Sequence, residues 1–160
     1  MVIRNATQQD AAAIWSILEP VIRAGETYAL ARDMTRQAAL SYWMASDRET
    51  FVAAQGDSIL GTYYLRANQQ GGGGHVANCG YMTAGAAAGR GIGRLMCEDS
   101  LKRAKAQGFR AVQFNFVVST NRRAIALWKS LGFEIVGQLP DAFHHPAQGD
   151  VDALVMYKTL

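Results

Sequence analysis

The sequence predicts a mixed α/β domain, in which a single β-sheet is flanked by helices. Strand-like and helix-like stretches follow one another in the order β-α-α-β-β-β-α-β-α-β-β, which is typical of such a sheet. The length of 160 residues suits one domain, 1–160, that can bury a real core. The apolar content of 49% and the charged content of 18% are those of a soluble globular protein, and no apolar run approaches the length of a membrane span.

The element boundaries follow from capping residues, turn residues and apolar periodicity. A helix over Ala11–Ala24 starts after Thr7 and Asp10, and Pro20 inside it is expected to kink or divide it. Residues 140–149 are expected to form a loop. The other predicted elements are strands at 2–4, 51–54, 58–66, Val76–Thr83, Ala111–Val118, 133–136 and 151–158, and helices at 35–45, 95–104 and 120–131.

The segment 87–94 is the central feature of the sequence. It places Gly89, Gly91 and Gly93 between a predicted strand and a predicted helix. Glycine lets the backbone approach a ligand closely, and the first turn of a helix offers unpaired N–H groups, so the segment predicts a phosphate site. The spacing is neither G-x-G-x-x-G nor a Walker loop, which argues against a dinucleotide or a nucleoside triphosphate. An ordinary glycine-rich helix start remains the alternative.

The run from Ala88 to Gly93 resembles the pyrophosphate loop of the GCN5-related N-acetyltransferases (GNAT), whose pattern is Arg/Gln-x-x-Gly-x-Gly/Ala. Ala88 departs from the first position of that pattern. A second stretch, from Asn121 to Phe133, is similar to the family's Asn-x-x-Ala-x-x-x-Tyr-x-x-x-Gly-Phe, with Trp128 in place of the tyrosine. Both stretches fall in the family's order of elements, so the resemblance covers essentially the whole chain.

The resemblance implies the GNAT fold: a mixed six- to seven-stranded sheet flanked by about four helices, with two central parallel strands, Val76–Thr83 and Ala111–Val118, that splay apart. It also implies acetyl-CoA as co-substrate, with the pantetheine arm lying in the gap between those strands, and it calls for no metal. The residues expected to bind acetyl-CoA are Met82, Thr83, Gly89, Arg90, Gly91, Ile92, Gly93, Arg94, Asn121 and Trp128.

The implied chemistry is attack of a neutral amine on a thioester carbonyl. A backbone N–H of Met82 or Thr83 is expected to polarise that carbonyl. An α-amino group is neutral in only about one molecule in ten at pH 7, so a base or a water chain must take its proton. Many family members use a tyrosine as general acid where this chain has Trp128, and indole cannot act in that way. A thiolate is a tolerable leaving group, so no dedicated acid is required.

Two asparagines, Asn78 and Asn115, lie on the two strands predicted to splay apart. Asparagine is disfavoured in strands, so a pair of them indicates a polar pocket. The combination with Asn121 and Trp128 resembles the yeast acetyltransferases that detoxify azetidine-2-carboxylate, a proline analogue. That resemblance implies that Asn78 and Asn115 are catalytic residues that hold the substrate and a proton-accepting water. A purely structural role for both is the alternative.

The loop after the first helix often lines the acceptor pocket in this family, so Glu26 and Tyr28 are candidate substrate-binding residues. The late histidines His144 and His145 are expected at the surface. Tyr63 and Tyr64 alternate on one strand, so one is expected in the core and the other at the pocket. Cys79 has no base placed to activate it, and it is expected to be a free thiol.

The predicted function is acetyl transfer to the amine of a small molecule, an amino acid or a toxic analogue. Loops expected at 25–34 and 138–149 favour a covered pocket over the open groove of a protein or peptide N-acetyltransferase. A non-enzymatic acyl-CoA binding domain is a third reading. The net charge of +3 comes from scattered basic residues, which argues against nucleic acid. The N-terminus has no signal-peptide pattern, so a cytoplasmic location is expected, and a homodimer is compatible with the family.

Overall fold

The computed structural model describes residues 1–160, which form seven β-strands and four α-helices. The strands are β1 Val2–Asn5, β2 Glu49–Gln55, β3 Ser58–Ala67, β4 Val76–Thr83, β5 Ala111–Val118, β6 Glu134–His145 and β7 Gly149–Thr159. The helices are α1 Ala11–Ala24, α2 Arg36–Trp43, α3 Ile92–Ala106 and α4 Arg122–Ser130. The strands form one sheet in the order β1-β2-β3-β4-β5-β7-β6, in which only β4 and β5 run parallel. The predicted mixed α/β sheet is confirmed.

Each face of the sheet carries its own hydrophobic core. Ile14 and Leu18 of α1 and Trp43 of α2 are buried against one face. Met96 of α3 and Trp128 of α4 are buried against the other. Because successive side chains of a strand point to opposite faces, each strand contributes alternately to the two cores.

The two parallel strands, β4 and β5, separate soon after they start. They pair only at Val76 with Ala111 and at Ala77 with Val112, and then diverge. On its other side β5 pairs with β7 through an irregularity between Phe114 and Val117. A bulge of this kind bends a strand and increases its local twist. The sheet therefore opens into a wedge-shaped gap at its centre, as the family resemblance implies.

Residues 140–149 are the main departure from the predicted elements. They were expected to form a loop, but β6 continues to His145 and pairs with β7 down to the pair His145 and Gly149. Pro140 lies within a register shift of this edge strand, between Leu139 and Phe143, and an edge strand tolerates a residue without an N–H. The prediction of a covering loop at 138–149 is therefore wrong, because most of that segment is a β-hairpin.

The first helix, α1, continues through Pro20 as one element, so of the expected kink or division the division is wrong. Ile14, Leu18 and Ile22 lie on both sides of the proline and are all buried against the sheet, which holds the two halves in one helix. Ahead of the helix, the Asp10 carboxylate accepts a hydrogen bond from the backbone N–H of Thr7, as the capping prediction requires. None of the helices combines the length and apolar character needed to cross a membrane.

Candidate active site

A cavity of about 520 Å³ occupies the gap between β4 and β5. Its walls come from both splayed strands, the start of α4, β3, and the α1–α2 loop with one residue from each of the helices that flank it, Val21 and Tyr42. The only charged residues in its lining are Arg66 and Arg123, and the lining contains no carboxylate and no imidazole. The cavity is thus mostly apolar, its charged groups are cationic, and it offers no conventional general base.

The register of β4 decides which of its backbone groups face the gap. The Val76 carbonyl accepts a hydrogen bond from Asn68, the residue after β3, and the N–H of Ala84, the residue after β4, donates to the Leu60 carbonyl of β3. Because such bonds alternate in an antiparallel pair, the backbone of Met82 also faces β3, whereas those of Tyr81 and Thr83 face the gap. The expectation that Met82 presents its N–H to a ligand does not fit this register. Tyr81, which the sequence analysis did not name, takes its place beside Thr83.

Tyr28 reaches into the gap from the loop between α1 and α2. Its hydroxyl donates a hydrogen bond to the carbonyl oxygen of Tyr81 and accepts one from the Tyr81 N–H, both at 2.8 Å. Burial raises the pKa of the Tyr28 phenol, so the phenol is neutral at physiological pH. The hydroxyl therefore satisfies the open edge of β4 in the way that a neighbouring strand would.

Glu26 does not join this site. It is exposed, lies outside the cavity lining and forms neither a hydrogen bond nor an ion pair in the structure. Gly25 ends α1 in the left-handed conformation, at φ 65°, and the loop beyond it directs Tyr28 inward, whereas Glu26 remains at the surface. The expectation that Glu26 binds the substrate is therefore corrected.

The glycine turn ahead of α3 has the geometry of an anion site. Gly89 and Gly91 have φ values of 78° and 77°, and a Cβ atom at either position would meet no other atom within 4 Å. Glycine is therefore required there by backbone conformation and not by space. No side chain caps the first turn of α3, so its N–H groups are free for a ligand. Ile92 is buried, whereas Gly93 packs beside Leu127.

Two arginines of this turn lie at the surface and are engaged by neighbouring side chains. Arg90 donates a hydrogen bond to Gln55 at 2.7 Å. Arg94 donates one to Ser130 at 2.7 Å and lies 3.6 Å from Glu98. Both guanidinium groups are exposed, and such surface interactions are weak enough to be exchanged for a phosphate.

Trp128 projects from α4 into the base of the gap. Its ring lies 5.1 Å from those of Tyr81, on β4, and Phe114, on β5. The side chain is buried where the two strands diverge, and its ring fills the space between them where they are no longer hydrogen-bonded. Asn121, which precedes α4, also lines the cavity, and its side chain does not cap the helix.

Asn78 lies at the apex of the gap, immediately after the last paired residues of β4 and β5. Its side-chain nitrogen donates to the carbonyl oxygen of Gln113 at 3.0 Å, and its oxygen accepts from Arg66 Nε at 3.2 Å. The side chain thus supplies a hydrogen bond between the strands where the backbone no longer can. It also lines the cavity, so a structural role and a role toward a ligand coexist.

Asn115 lies on the opposite wall of the cavity, within the irregular part of β5. It is exposed; its nitrogen donates to Asn68 at 2.6 Å and its oxygen accepts from Gln113 Nε2 at 2.9 Å. The structure therefore brings both asparagines to the same cavity on facing strands, as the sequence predicts. Their catalytic roles stay a prediction.

The other candidates are resolved by burial. Tyr63 is fully buried in the core beside α3, and Tyr64 lines the cavity, which confirms the predicted alternation. His145 is buried rather than exposed, because its Nδ1 accepts two backbone N–H bonds in the β6–β7 turn, whereas His144 is exposed as expected. Burial raises the pKa of the Cys79 thiol to about 12, so the thiol is inert at neutral pH.

Arg66 is the cavity residue that the sequence analysis missed most clearly. It lies at the end of β3, opposite Asn78, and its side chain is 26% exposed. A charged residue inside an otherwise apolar stretch of sequence was the available signal. An arginine at a strand end is ordinarily solvated, so the residue type by itself does not point to a site.

The fold and the site together define a CoA-dependent acyltransferase. The sequence matches the acetyltransferase (GNAT) family over residues 12–133. It is 30% identical over 151 residues to the N-acetyltransferase aca1 of Schizosaccharomyces pombe (strain 972 / ATCC 24843), a match that covers 84% of this chain and 72% of the relative. The chain belongs to the GNAT family, and it is an N-acetyltransferase.

Solved structures agree with this assignment. A GCN5-related N-acetyltransferase from Kribbella flavida is 43% identical and superposes with a TM-score of 0.95, over 99% of this chain and 97% of that one. The putative acetyltransferase yncA from Salmonella typhimurium, solved with its cofactor acetyl-CoA, has the same fold at 21% identity, with a TM-score of 0.87 over 100% and 94% of the two chains.

Proposed function

We propose that this protein transfers the acetyl group of acetyl-CoA to the amine of a small molecule, an amino acid or a toxic analogue such as azetidine-2-carboxylate. The observation that carries the proposal is the single cavity between β4 and β5, whose two ends differ chemically. At one end β4 runs through Thr83 into the glycine turn, and at the other Asn78 faces a polar and aromatic recess beneath the α1–α2 loop.

The chain offers groups that fit acetyl-CoA along β4. The free N–H groups at the start of α3, with Gly89 and Gly91, suit the pyrophosphate, and Arg90 and Arg94 add positive charge beside them. The backbone of Thr83 faces the gap and suits an amide of the pantetheine arm. When bound, acetyl-CoA supplies an acetyl group activated as a thioester.

The Tyr81 N–H faces the cavity midway along the open edge, where the Tyr28 hydroxyl accepts its hydrogen bond, so it polarises a carbonyl in the gap only when that carbonyl replaces the hydroxyl as the acceptor. Asn78 and Asn115, on opposite walls, hold the acceptor and a water. Because the cavity lining contains no carboxylate or imidazole, and Cys79 is protonated, the amine proton leaves through water held by these amides.

No residue takes the place of the tyrosine acid that Trp128 replaces. Trp128 is packed between Tyr81 and Phe114, and its indole N–H can donate a hydrogen bond but is far too weak an acid to protonate a leaving group. The departing group is a thiolate, whose conjugate acid has a pKa of about 8.5, so it leaves without a proton donor in contact. Trp128 instead packs between the two strands and holds them apart.

The test is release of CoA thiol from acetyl-CoA with a panel of amines: azetidine-2-carboxylate, proline, phosphinothricin, common amino acids, polyamines and a lysine peptide. We expect turnover with one or more small amino or imino acids. Turnover with the lysine peptide alone would instead establish a protein acceptor, the alternative that the tethered α1–α2 loop disfavours.

The asparagine roles are tested separately. We expect Asn78→Ala and Asn115→Ala each to lower kcat/KM for the acceptor about 10-fold or more, which is the usual contribution of a positioned polar group. Asn5→Ala is the matched control, because Asn5 lies on β1, is exposed and has no side-chain hydrogen bond. Normal turnover by both folded variants would leave the two asparagines with structural roles only.

A further inference from the structure

We propose that Arg66 binds the carboxylate of the acceptor, so that the acceptors of this enzyme are α-amino or α-imino acids. This inference rests on the proposed function and assigns a residue to its specificity. The Arg66 side chain lines the cavity and has only one hydrogen bond within the chain, from its Nε to Asn78.

Neither terminal nitrogen of the Arg66 guanidinium donates a hydrogen bond in the structure. The nearest carboxylate, that of Asp47, lies 3.9 Å from one of them, beyond hydrogen-bond distance. Asp47 is already held by Arg48 through two contacts, at 2.7 and 3.3 Å. The paired donors of Arg66 are therefore available, and a carboxylate is the group that matches their fork geometry.

The charges around this recess favour an anion. Arg48 is buried beneath the aromatic wall, with its guanidinium carbon 4.8 Å from the ring centre of Tyr64 and 4.9 Å from that of Tyr42. One carboxylate, Asp47, faces these two arginines, so the cluster of Asp47, Arg48 and Arg66 carries a net charge of +1. A polyamine or a lysine side chain would bring a second positive charge into this recess, and such an approach is unfavourable.

The position of Arg66 separates it from the phosphate site. Arg66 pairs with Asn78 at the closed end of the gap, whereas the glycine turn follows Thr83 at the other end of β4. Thr83 lies five residue steps along β4 from Asn78, a distance of roughly 16 Å. The phosphates of a cofactor held by the glycine turn therefore do not require Arg66.

The link between Arg66 and Asn78 also sets the size of the acceptor. Their side chains are in hydrogen-bond contact at 3.2 Å, so an amine held at Asn78 and an anion held at Arg66 lie close together. In an α-amino or α-imino acid one carbon separates the nitrogen from the carboxylate, which suits two adjacent anchors. In an ω-amino acid the longer chain between the amine and the carboxylate would place the two groups too far apart to reach Asn78 and Arg66 together.

The experiment compares two acceptors that differ only in charge, azetidine-2-carboxylic acid and azetidine-2-carboxamide, in wild type and in Arg66→Gln. The ratio of kcat/KM for acid over amide is measured in each protein, and the quotient of the two ratios cancels the intrinsic reactivity of each amine. We expect Arg66→Gln to lower the ratio at least about 10-fold, as loss of a charge-assisted hydrogen bond predicts, with the KM for acetyl-CoA unchanged.

Two further variants make the result specific. Arg66→Lys keeps the charge and should retain part of the preference, which a purely structural role would not predict. Arg110→Gln is the matched control, because Arg110 is exposed, has no side-chain hydrogen bond and lies outside the cavity, so the ratio should not change. An unchanged ratio in a folded Arg66→Gln would overturn the proposal and leave the acetyltransferase function standing.

Ligand-observed saturation-transfer NMR tests the subsite without turnover. Binding of the acid to wild type, and its loss in Arg66→Gln, would support the subsite even if no acceptor of the panel were acetylated and the proposed function failed. Equal binding of acid and amide by wild type would contradict it.

Discussion

Removal of one oxygen atom, in Tyr28→Phe, tests how the α1–α2 loop is attached to the active site. The Tyr28 hydroxyl makes two hydrogen bonds of 2.8 Å to the backbone of Tyr81, one to the N–H and one to the carbonyl. The phenylalanine ring keeps the packing against Trp43, whose ring centre lies 6.0 Å away. The substitution therefore isolates the two hydrogen bonds.

The expected loss of stability follows from the Tyr81 N–H and carbonyl, which lose their hydrogen-bond partner in Tyr28→Phe. A buried polar group without a partner costs about 1–3 kcal/mol, and here two groups lose their partner while water in the cavity recovers part of the loss. We expect the free energy of unfolding to fall by about 1–2 kcal/mol, which corresponds to about 2–8 °C in Tm for a chain of this size.

The assay is urea denaturation followed by circular dichroism, combined with amide hydrogen exchange. Exchange at Tyr81 should accelerate in Tyr28→Phe, whereas exchange at Met82, whose backbone faces β3, should change only with global stability. Tyr157→Phe is the control, because Tyr157 is part-buried and its hydroxyl has no hydrogen bond in the structure. Unchanged stability and unchanged Tyr81 exchange in Tyr28→Phe would refute the assignment of the hydroxyl to this strand edge.

Three further predictions concern the glycine turn, the aromatic wedge and the first helix. Gly91→Ala should lose about 1 kcal/mol of stability and weaken acetyl-CoA binding measured by calorimetry, whereas Gly56→Ala, at φ 58° in the β2–β3 turn, should lose similar stability and no affinity. Trp128→Tyr should keep kcat within about 10-fold of wild type, because a thiolate needs no acid; a large gain would show that proton donation limits the rate. The bidentate hydrogen bonds from Arg4 lower the pKa of Asp10 from 3.8 to about 2, and that stabilisation is present above pH 3.8 and lost as the pH falls through 2. Asp10→Asn should therefore cost about 1–2 kcal/mol at pH 7, after allowance for the exposed Arg4, and the difference from wild type in denaturation should vanish near pH 2.

The sequence could predict those parts of the site in which the residue type itself limits the local conformation or calls for a partner. Gly89 and Gly91 were assigned to a turn and to a phosphate, and both have the positive φ that glycine permits. The resemblance placed Asn78 and Asn115 on facing strands, and they were assigned to a polar pocket because a polar residue in a strand needs a partner; both line the cavity. Local rules suffice for such residues.

The parts that sequence could not predict depend on register and on partners distant in the chain. Met82 was expected to present its N–H and Tyr81 was not considered, because a shift of one residue reverses which side of a strand the backbone bonds. Glu26 and Tyr28 lie two positions apart in one loop, and only the folded loop decides that the phenol turns inward. The ordered β6 beyond Pro140 likewise depends on pairing with β7.

Periodicity, capping and glycine spacing act over a few residues, so the sequence alone determined the mixed sheet and the glycine turn. The parallel pair β4 and β5 followed from the resemblance to the family, which rests on the motifs at 88–93 and 121–133. Tertiary structure alone decided which groups meet in the gap. Asn78 contacts Arg66 on β3 and Gln113 on β5, and Tyr28 contacts Tyr81 at a separation of 53 residues. Such contacts form only when hydrophobic burial brings distant strands together and closes the long loops between them. The residue pattern of a short segment does not show which distant residues will then meet.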